Sequence, residues 1–272
     1  MPIQVPLKIF RYKPGSEPHY ASYVVSVPEY AHVIDAIEAV WAQHDRSLTF
    51  RHACHHASCG TCAVRINGYE KLPCIVPVRE ALAGRTEILI EPLRNFPPVS
   101  DLVVDVAGFF RKQEASGLIP TRQVEPTLNG QPYMRTEVFD ATGRLENRPY
   151  NRFQNCIECG ICISACPTMA ATDKFFGPAG LAGIWYALQE TNDPARKEAL
   201  LALADDEQGV WRCHSAFECT ESCPQAVDPA GAIMALRREL IGRRFRRLFG
   251  LNRGTQRIKE TEEQSDAGKT GV

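Results

Sequence analysis

Apolar positions recur mainly at every second residue over the first part of the chain and at every third or fourth residue beyond residue 150. PIQVPLKIFRY and ASYVVSVPE alternate like two strands of a hairpin, with Pro14, Gly15 and Ser16 as turn residues between them. Residues 32–44 break that alternation and set Val33, Ile34, Ile37, Val40 and Trp41 on one helical face. SLTFR (47–51) predicts a strand entering a cysteine-rich loop, and CAVRING (62–68) a strand leaving it and ending at the turn Asn67-Gly68. TEILIEPL (86–93) predicts a further strand.

Strands wrapped around one helix, with a cysteine loop beside the sheet, predict a β-grasp ferredoxin-like domain over residues 1–110. Residues 111–150 have mixed polarity and carry Pro120, Pro126, Pro132 and Pro149, which predicts a linker with short helical pieces wrapped around the domains. From 151 to 250 the pattern is helical. Gly177-Pro178 opens one helix, because proline has no N–H to lose in the first turn. Asp193-Pro194 opens a second, and Asp228-Pro229 a third with Asp228 as N-cap. Residues 251–272 form a polar tail without periodicity, expected to be disordered. The fold class is therefore α+β: the N-terminal domain is followed by an all-α domain of bacterial-ferredoxin type with two clusters.

Composition adds three constraints. The formal net charge of −1 over 272 residues gives no electrostatic reason to expect nucleic acid. The N-terminus lacks a basic region followed by an apolar run, so no secretory signal is expected. No apolar stretch reaches the ~18 residues of a membrane span, so a protein soluble by itself is expected, with LAGIWYAL (181–188) a buried core helix. Cysteine is the anomaly: there are eleven, an odd number, and all lie in three groups. Scattered buried thiols would not cluster in this way, and a disulfide framework suits a small secreted domain. Metal ligation in a reducing compartment is the better account.

The first group is Cys54-x4-Cys59-x2-Cys62 followed by Cys74, the spacing of plant-type [2Fe–2S] sites. One tight loop must gather three thiolates while aiming backbone N–H groups at them, and the small residues Ala57, Ser58, Gly60 and Thr61 permit that. Structural zinc sites come as two separated Cys-x2–4-Cys pairs, so three ligands in one loop favour iron. His52, His55 and His56 invite a Rieske reading, in which histidines replace two cysteines. With four cysteines present, these histidines are read instead as surface groups or hydrogen-bond donors near the cluster.

Cys156-x2-Cys159-x2-Cys162-x3-Cys166-Pro167 is the bacterial ferredoxin run, whose fourth cysteine ligates the other cluster of the pair. The partner run, CHSAFECTESCP, has Cys213, Cys219 and Cys223-Pro224 but Ala216 where another cysteine belongs. Crossed ligation then assigns Cys156, Cys159, Cys162 and Cys223 to a [4Fe–4S] cluster and Cys166, Cys213 and Cys219 to a [3Fe–4S] cluster. This division uses every cysteine. A competing version keeps a fourth iron on His214, Ser215 or Glu218. Fewer anionic ligands should raise the potential of the three-iron cluster, which suits a terminal acceptor. The sequence shows no nucleophile–base set and no phosphate-cradling loop, so the chain itself carries electrons and has no catalytic residues of its own.

A plant-type domain followed by a two-cluster domain with a three-cysteine second site resembles the iron–sulfur subunit of succinate dehydrogenase and fumarate reductase. The resemblance spans residues 5–245, and its most specific strings are DKFFGPAGL (173–181), RCHSAFECTESCP (212–224) and VDPAGAI (227–233). It implies a subunit of a succinate:quinone oxidoreductase. A separate flavoprotein carries FAD, and electrons cross [2Fe–2S], [4Fe–4S] and [3Fe–4S] in turn to a quinone beside membrane anchor subunits. It further implies succinate oxidation as the direction, with fumarate reduction as the alternative, and, in a bacterium, a peripheral location on the cytoplasmic face of the inner membrane. Two departures stand out. Where the family usually carries Arg-Glu-Gly after its first cysteine, this chain has His55-His56-Ala57; where it often supplies a quinone-site tryptophan, this chain has Thr168 to Ala171. His214 matches the family's histidine beside the three-iron cluster, so Pro167 and His214 are the quinone-proximal candidates, with a helix-end hydrogen bond as the plainer role for His214.

Residues 237–253 carry seven arginines interleaved with Ile241, Phe245, Leu248 and Phe249. Such a run is usually a solvated helix face, and here contact with anionic headgroups or an anchor subunit is the sharper expectation. Competing functions are the iron–sulfur subunit of another flavin-linked dehydrogenase, a free ferredoxin-like carrier and a zinc-stabilised interaction module.

Overall fold

The computed structural model describes residues 2–117 and 152–249. Strands β1 (Pro2–Arg11) and β2 (His19–Pro28) form the expected antiparallel hairpin, Pro2 facing Pro28 and Arg11 facing His19. Helix α1 (Val33–Gln43) follows, its start fixed by the His32 N–H donating to Asp35 Oδ2 at 2.8 Å. Then come β3 (Val64–Ile66), β4 (Tyr69–Lys71), a short α2 (Val78–Leu82) and β5 (Ile88–Glu91). The sheet order is β2-β1-β5-β3-β4, with β5 parallel to β1 and every other pair antiparallel. Alternation sends Val5, Leu7 and Ile9 of β1 and Ile88 and Ile90 of β5 onto Val33, Ile34, Ile37 and Val40 of α1, all buried. This is the β-grasp arrangement.

Two expectations fail here. Trp41 is 39% exposed, its ring covered by the Arg46 guanidinium at 4.1 Å, while Ala36 takes the buried place on α1. SLTFR forms no strand. Its N–H groups find other acceptors: Ser47 and Leu48 donate to Asp45, and Thr49 donates to the buried Asp101 Oδ2 at 2.7 Å. Asp101 also accepts from the Tyr12 N–H at 2.9 Å, Arg11 Nε at 3.1 Å and Lys13 Nζ at 2.7 Å. It thereby ties the end of β1 to the cysteine loop and to the small ribbon β6 (Pro98–Ser100) and β7 (Val103–Val104).

Helix α3 (Ala107–Ala115) leads out of this half and is anchored to the other, Lys112 Nζ donating to the carbonyl oxygens of Asp173 and Phe175. The 111–150 stretch expected as linker and the tail lie mostly outside the described residues. The second half consists of short turns α4 (Ile161–Ser164), α5 (Pro167–Ala171) and α8 (Glu218–Glu221) and longer helices α6 (Pro178–Glu190), α7 (Pro194–Asp205) and α9 (Pro229–Leu248). The prolines and caps act as the sequence predicts: Asp193 accepts from the Ala195 N–H and Asp228 from the Gly231 N–H. Leu181 and Ile184 of α6 are buried against Leu200, Leu201 and Ala204 of α7 and Ile233, Leu236 and Leu240 of α9. No helix among the described residues is long and apolar enough to cross a membrane.

The two halves interlock through residues 93–96. Asn95 Nδ2 lies within hydrogen-bond distance of the carbonyls of Ile163, Ser164 and Cys166, at 2.8, 3.0 and 3.1 Å, and so clasps the turn that leads out of α4. The buried Glu70 of β4 accepts from Arg94 Nη2 and from Ser164 Oγ, both at 2.9 Å. Burial alone would raise the Asp101 carboxyl, but Lys13, the N–H groups of Thr49 and Tyr12, and Arg11 outweigh it and hold its pKa below the ordinary value. A depressed carboxylate contributes stability that is full above the unfolded pKa and is lost as pH falls through the folded value. Asp101→Asn removes the charge that faces buried Arg11, which keeps Asp45, and half-exposed Lys13, and should cost about 2 kcal/mol. Thermal unfolding should show a lowered midpoint at pH 7, with the gap to wild type closing on acidification.

Candidate functional site

All eleven cysteines are free thiols, and the structure gathers them in three places. In the first loop the Cys54 sulfur accepts from the His56 N–H at 3.5 Å, while Cys62 and Cys74 are buried at the edge of the sheet. His55, Ala57 and Gly60 all take positive φ. Such turns fold successive N–H groups inward towards one anionic centre. The Ser58 hydroxyl and the His56 N–H lower the Cys54 thiol to about 5, whereas burial and then Cys74 push Cys62 up to about 12.

Around the second place, Cys156, Cys159, Cys162 and Cys223 line one cavity, closed by Phe109, Phe153, Ile161, Ala179, Val227 and Pro229. Burial, reinforced by their mutual repulsion, raises Cys156 to about 11, Cys159 to about 12 and Cys162 well above a free thiol. The third place couples Cys166, Cys213 and Cys219: burial and then repulsion from Cys166 and Cys213 push Cys219 up to about 12. Cys223, sixty-odd residues distant in sequence, thus joins the Cys156 run, and Cys166 leaves it for Cys213. Four thiolates cannot coexist in an apolar cavity without a compensating cation, so these residues fit a polycationic metal–sulfide core. The Cys213 sulfur accepts from the Ser215 N–H and the Cys223 sulfur from the Val227 N–H, both at 3.4 Å, as sulfurs carrying negative charge require.

The places are contiguous. A methyl group on Gly60 would stand 2.7 Å from Cys159 Cβ and 2.7 Å from the Ile157 carbonyl oxygen, so the first loop rests directly on the second. Gln225 Nε2 donates to the Ala57 carbonyl at 2.9 Å across the same seam. Cys162 lies on α4, four residues before Cys166, and feels the charge of Cys219 in the third place.

Of the other expected residues, Pro167 begins α5 and His214 follows Cys213; both are exposed. Ala216 is exposed too, on the loop between Cys213 and Cys219. Arg237 was counted with the basic stretch, yet it turns inward: its Nε and Nη2 donate to the Val210 carbonyl at 3.0 and 2.7 Å, and its Nη1 to Ser215 Oγ at 3.0 Å, with a further short bond to the Cys213 carbonyl. Its place near the start of a run of arginines hides that role. The remaining arginines are largely engaged as well. Arg243 and Arg247 bridge to Glu198 of α7, Arg246 bridges to Glu239, and Arg244 bridges to Asp205 and lies over the Trp211 ring. The helix end is therefore less a free basic face than an apolar one, with Phe245, Leu248 and Phe249 exposed beside paired arginines.

Comparison with known proteins finds two iron–sulfur domains in this chain. A 2Fe-2S iron-sulfur cluster binding domain matches residues 6–111, and a 4Fe-4S dicluster domain matches residues 152–227. The fumarate reductase iron-sulfur subunit of Haemophilus influenzae is 33% identical over 234 residues, 84% of this chain and 89% of that protein. The corresponding Mycobacterium tuberculosis subunit is 34% identical, over 85% and 90%. A mitochondrial succinate dehydrogenase [ubiquinone] iron-sulfur subunit of Oryza sativa is 30% identical, over 85% and 73%. The fold is shared with a chain of the Mycobacterium smegmatis Sdh1 complex in the apo form, TM-score 0.70 at 24% identity, covering 90% of this chain and 98% of that one.

Gly60 and Gly68 offer a matched test of the seam. Both take positive φ, but nothing lies within 4 Å of a methyl group on Gly68. Alanine at either should cost about 1–2 kcal/mol through the backbone alone. Only Gly60→Ala also drives a methyl into Cys159 and Ile157, so iron release from the N-terminal site, followed by absorbance, should be markedly faster in Gly60→Ala than in Gly68→Ala. Equal rates would mean that the loops do not bear on each other.

Proposed function

Because the chain belongs to the iron–sulfur subunits of succinate dehydrogenase and fumarate reductase, electron-transfer subunits of flavin-linked respiratory complexes, we propose that it relays electrons from an FAD-containing flavoprotein that oxidises succinate to a membrane quinone. The observation that carries this reading is the contact of successive cysteine loops, Gly60 on Cys159 and α4 carrying Cys162 and leading to Cys166. Bound [2Fe–2S], [4Fe–4S] and [3Fe–4S] clusters would supply a series of one-electron sites. The chain's own residues bind, space and insulate them.

In this assignment Cys54, Cys59, Cys62 and Cys74 hold the first cluster; Cys156, Cys159, Cys162 and Cys223 the second; Cys166, Cys213 and Cys219 the third. The three-cysteine site has exposed Ala216 at the place of the absent ligand, and alanine has no atom to coordinate iron. Residues 1–110, 111–150, 151–250 and 251–272 serve as the first cluster domain, linker, second cluster domain and tail. The first loop, exposed from 52 to 58 apart from Cys54 and Ala57, is the face offered to the flavoprotein. The opposite end offers Pro167 and His214 to the quinone, and the apolar end of α9 to membrane anchor subunits. On this reading the subunit is peripheral, on the cytoplasmic face of the inner membrane of a bacterium. Fumarate reduction is the second reading of direction, favoured by the names of the relatives from H. influenzae and M. tuberculosis.

EPR of the oxidised native complex tests the assignment. A three-iron signal should be present and should vanish on adding succinate. A signal indifferent to succinate would leave the clusters and overturn the substrate. Absence of the signal in intact protein would overturn the assignment of Cys166, Cys213 and Cys219. Initial rates with succinate and ubiquinone against those with menaquinol and fumarate separate the two directions.

A further inference from the structure

The three histidines beside the first loop are not equivalent. The His56 ring turns back on its own loop, Nε2 lying 3.0 Å from Ser58 Oγ. His52 and His55 instead converge on Glu38 of α1. His52 Nδ1 lies 3.1 Å from Glu38 Oε1, His55 Nε2 lies 3.2 Å from the same oxygen, and the two ring nitrogens are 3.0 Å apart. Glu38 Oε1 is buried yet makes no hydrogen bond of acceptable geometry. Among the described residues this is the one group outside the cysteine sites whose ligand atoms converge closely enough for a metal ion.

We propose that Glu38, His52 and His55 form a site for a divalent transition-metal ion of the zinc class, separate from the iron–sulfur sites. In a tetrahedral zinc site with bonds of 2.0–2.1 Å, neighbouring ligand atoms are about 3.4 Å apart. Three atoms mutually 3.0–3.2 Å apart approximate one face of that tetrahedron. Protons serve this geometry poorly. If both ring nitrogens donate to Oε1, two N–H groups oppose each other at 3.0 Å; if one donates to the other, the buried Oε1 is left without a donor. A cation satisfies all three donors together. Two imidazoles and one carboxylate select zinc and its neighbours over calcium or magnesium. The ring of His52 is held by stacking on Phe50, with centroids 5.1 Å apart and planes at 20°. With His52 43% and His55 38% exposed, the fourth position opens to solvent and would hold water or an exchangeable ligand.

The location gives the site its consequence. His55 directly follows Cys54, so a bound dication would favour the reduced, more negative form of the adjoining [2Fe–2S] cluster and raise its potential. The proposal stands whether or not the electron partners are those named above.

The test uses the full chain with its clusters assembled, titrated with Zn2+ and, separately, Co2+. One Zn2+ should bind with all iron retained, and Co2+ should give d–d bands without thiolate charge-transfer bands. His52→Ala, His55→Ala and Glu38→Gln should each weaken binding at least roughly tenfold, while His19→Ala at an exposed site leaves it unchanged. Iron content and visible spectra check that each variant is folded. Redox titration followed by EPR should show the [2Fe–2S] midpoint rising with Zn2+ in wild type and not in His52→Ala. No binding, binding indifferent to all three substitutions, or binding that displaces iron would each overturn the proposal.

Discussion

The cost of charging several thiols buried together, first through burial and then through repulsion, is the constraint on which the rest of the structure depends. Cys156, Cys159 and Cys162 face one another and Cys223 in an apolar cavity, where ionising even one costs more than in water. A chain that places four such groups together is stable only when something positive neutralises them, so the cavity and a metal–sulfide core are one unit. The hydrophobic core of this half, by contrast, is modest: α6, α7 and α9 bring a handful of leucines and isoleucines together. The turns that carry the cysteines have few contacts of their own and accept positive φ at Glu158, Ser215, Phe217, Ala226 and Asp228. Backbone in that region is held by its surroundings rather than by preference, and around a cluster the surroundings are metal–sulfur bonds.

The second requirement is that the centres stay close, and polar anchors meet it rather than a broad apolar interface. Asn95 clasps the turn that leads out of α4, Glu70 receives Ser164 and Arg94, and Lys112 holds residues 173–175. Each fixes a short turn that carries or flanks a cysteine. Apolar packing tolerates sliding by fractions of a residue, whereas several directed hydrogen bonds to one turn do not. Gly60 completes the design: the space a side chain would fill is taken by Cys159 itself.

The sequence was most legible where the chemistry is stoichiometric. Spacing divided eleven cysteines into three sets, and the structure brings Cys223 to Cys156 and Cys166 to Cys213 as that division requires. The hairpin, α1 and the proline-started helices were readable from period and caps. Residues 47–51 were not, because their N–H groups go to Asp45 and to Asp101, a side chain distant in sequence, rather than to a neighbouring strand. Trp41 misled because helical period alone does not reveal that Arg46 can cover its ring outside the core. Arg237 was hidden in a run of like charges, and only the path of α9 shows that it reaches the Cys213 loop.

The three centres differ in their access to solvent, and the difference has a direction. The first loop is open at its edge, with a Cys54 thiol lowered by hydrogen bonds; the second cavity is lined by aromatic and aliphatic side chains; the third is flanked by exposed Pro167 and His214. An apolar middle between two polar, exposed ends suits a conductor, because partners can approach at either end. Charge placement follows the same axis. At the far end the Arg237 guanidinium is directed at the Cys213 loop, a fixed cation that favours the reduced state of whatever that loop binds. At the near end, His55 stands directly after Cys54 and converges with His52 and Glu38, donors whose net charge depends on what they hold. The electrostatic bias at the far end is built into the fold, whereas at the near end it is left open to the surroundings.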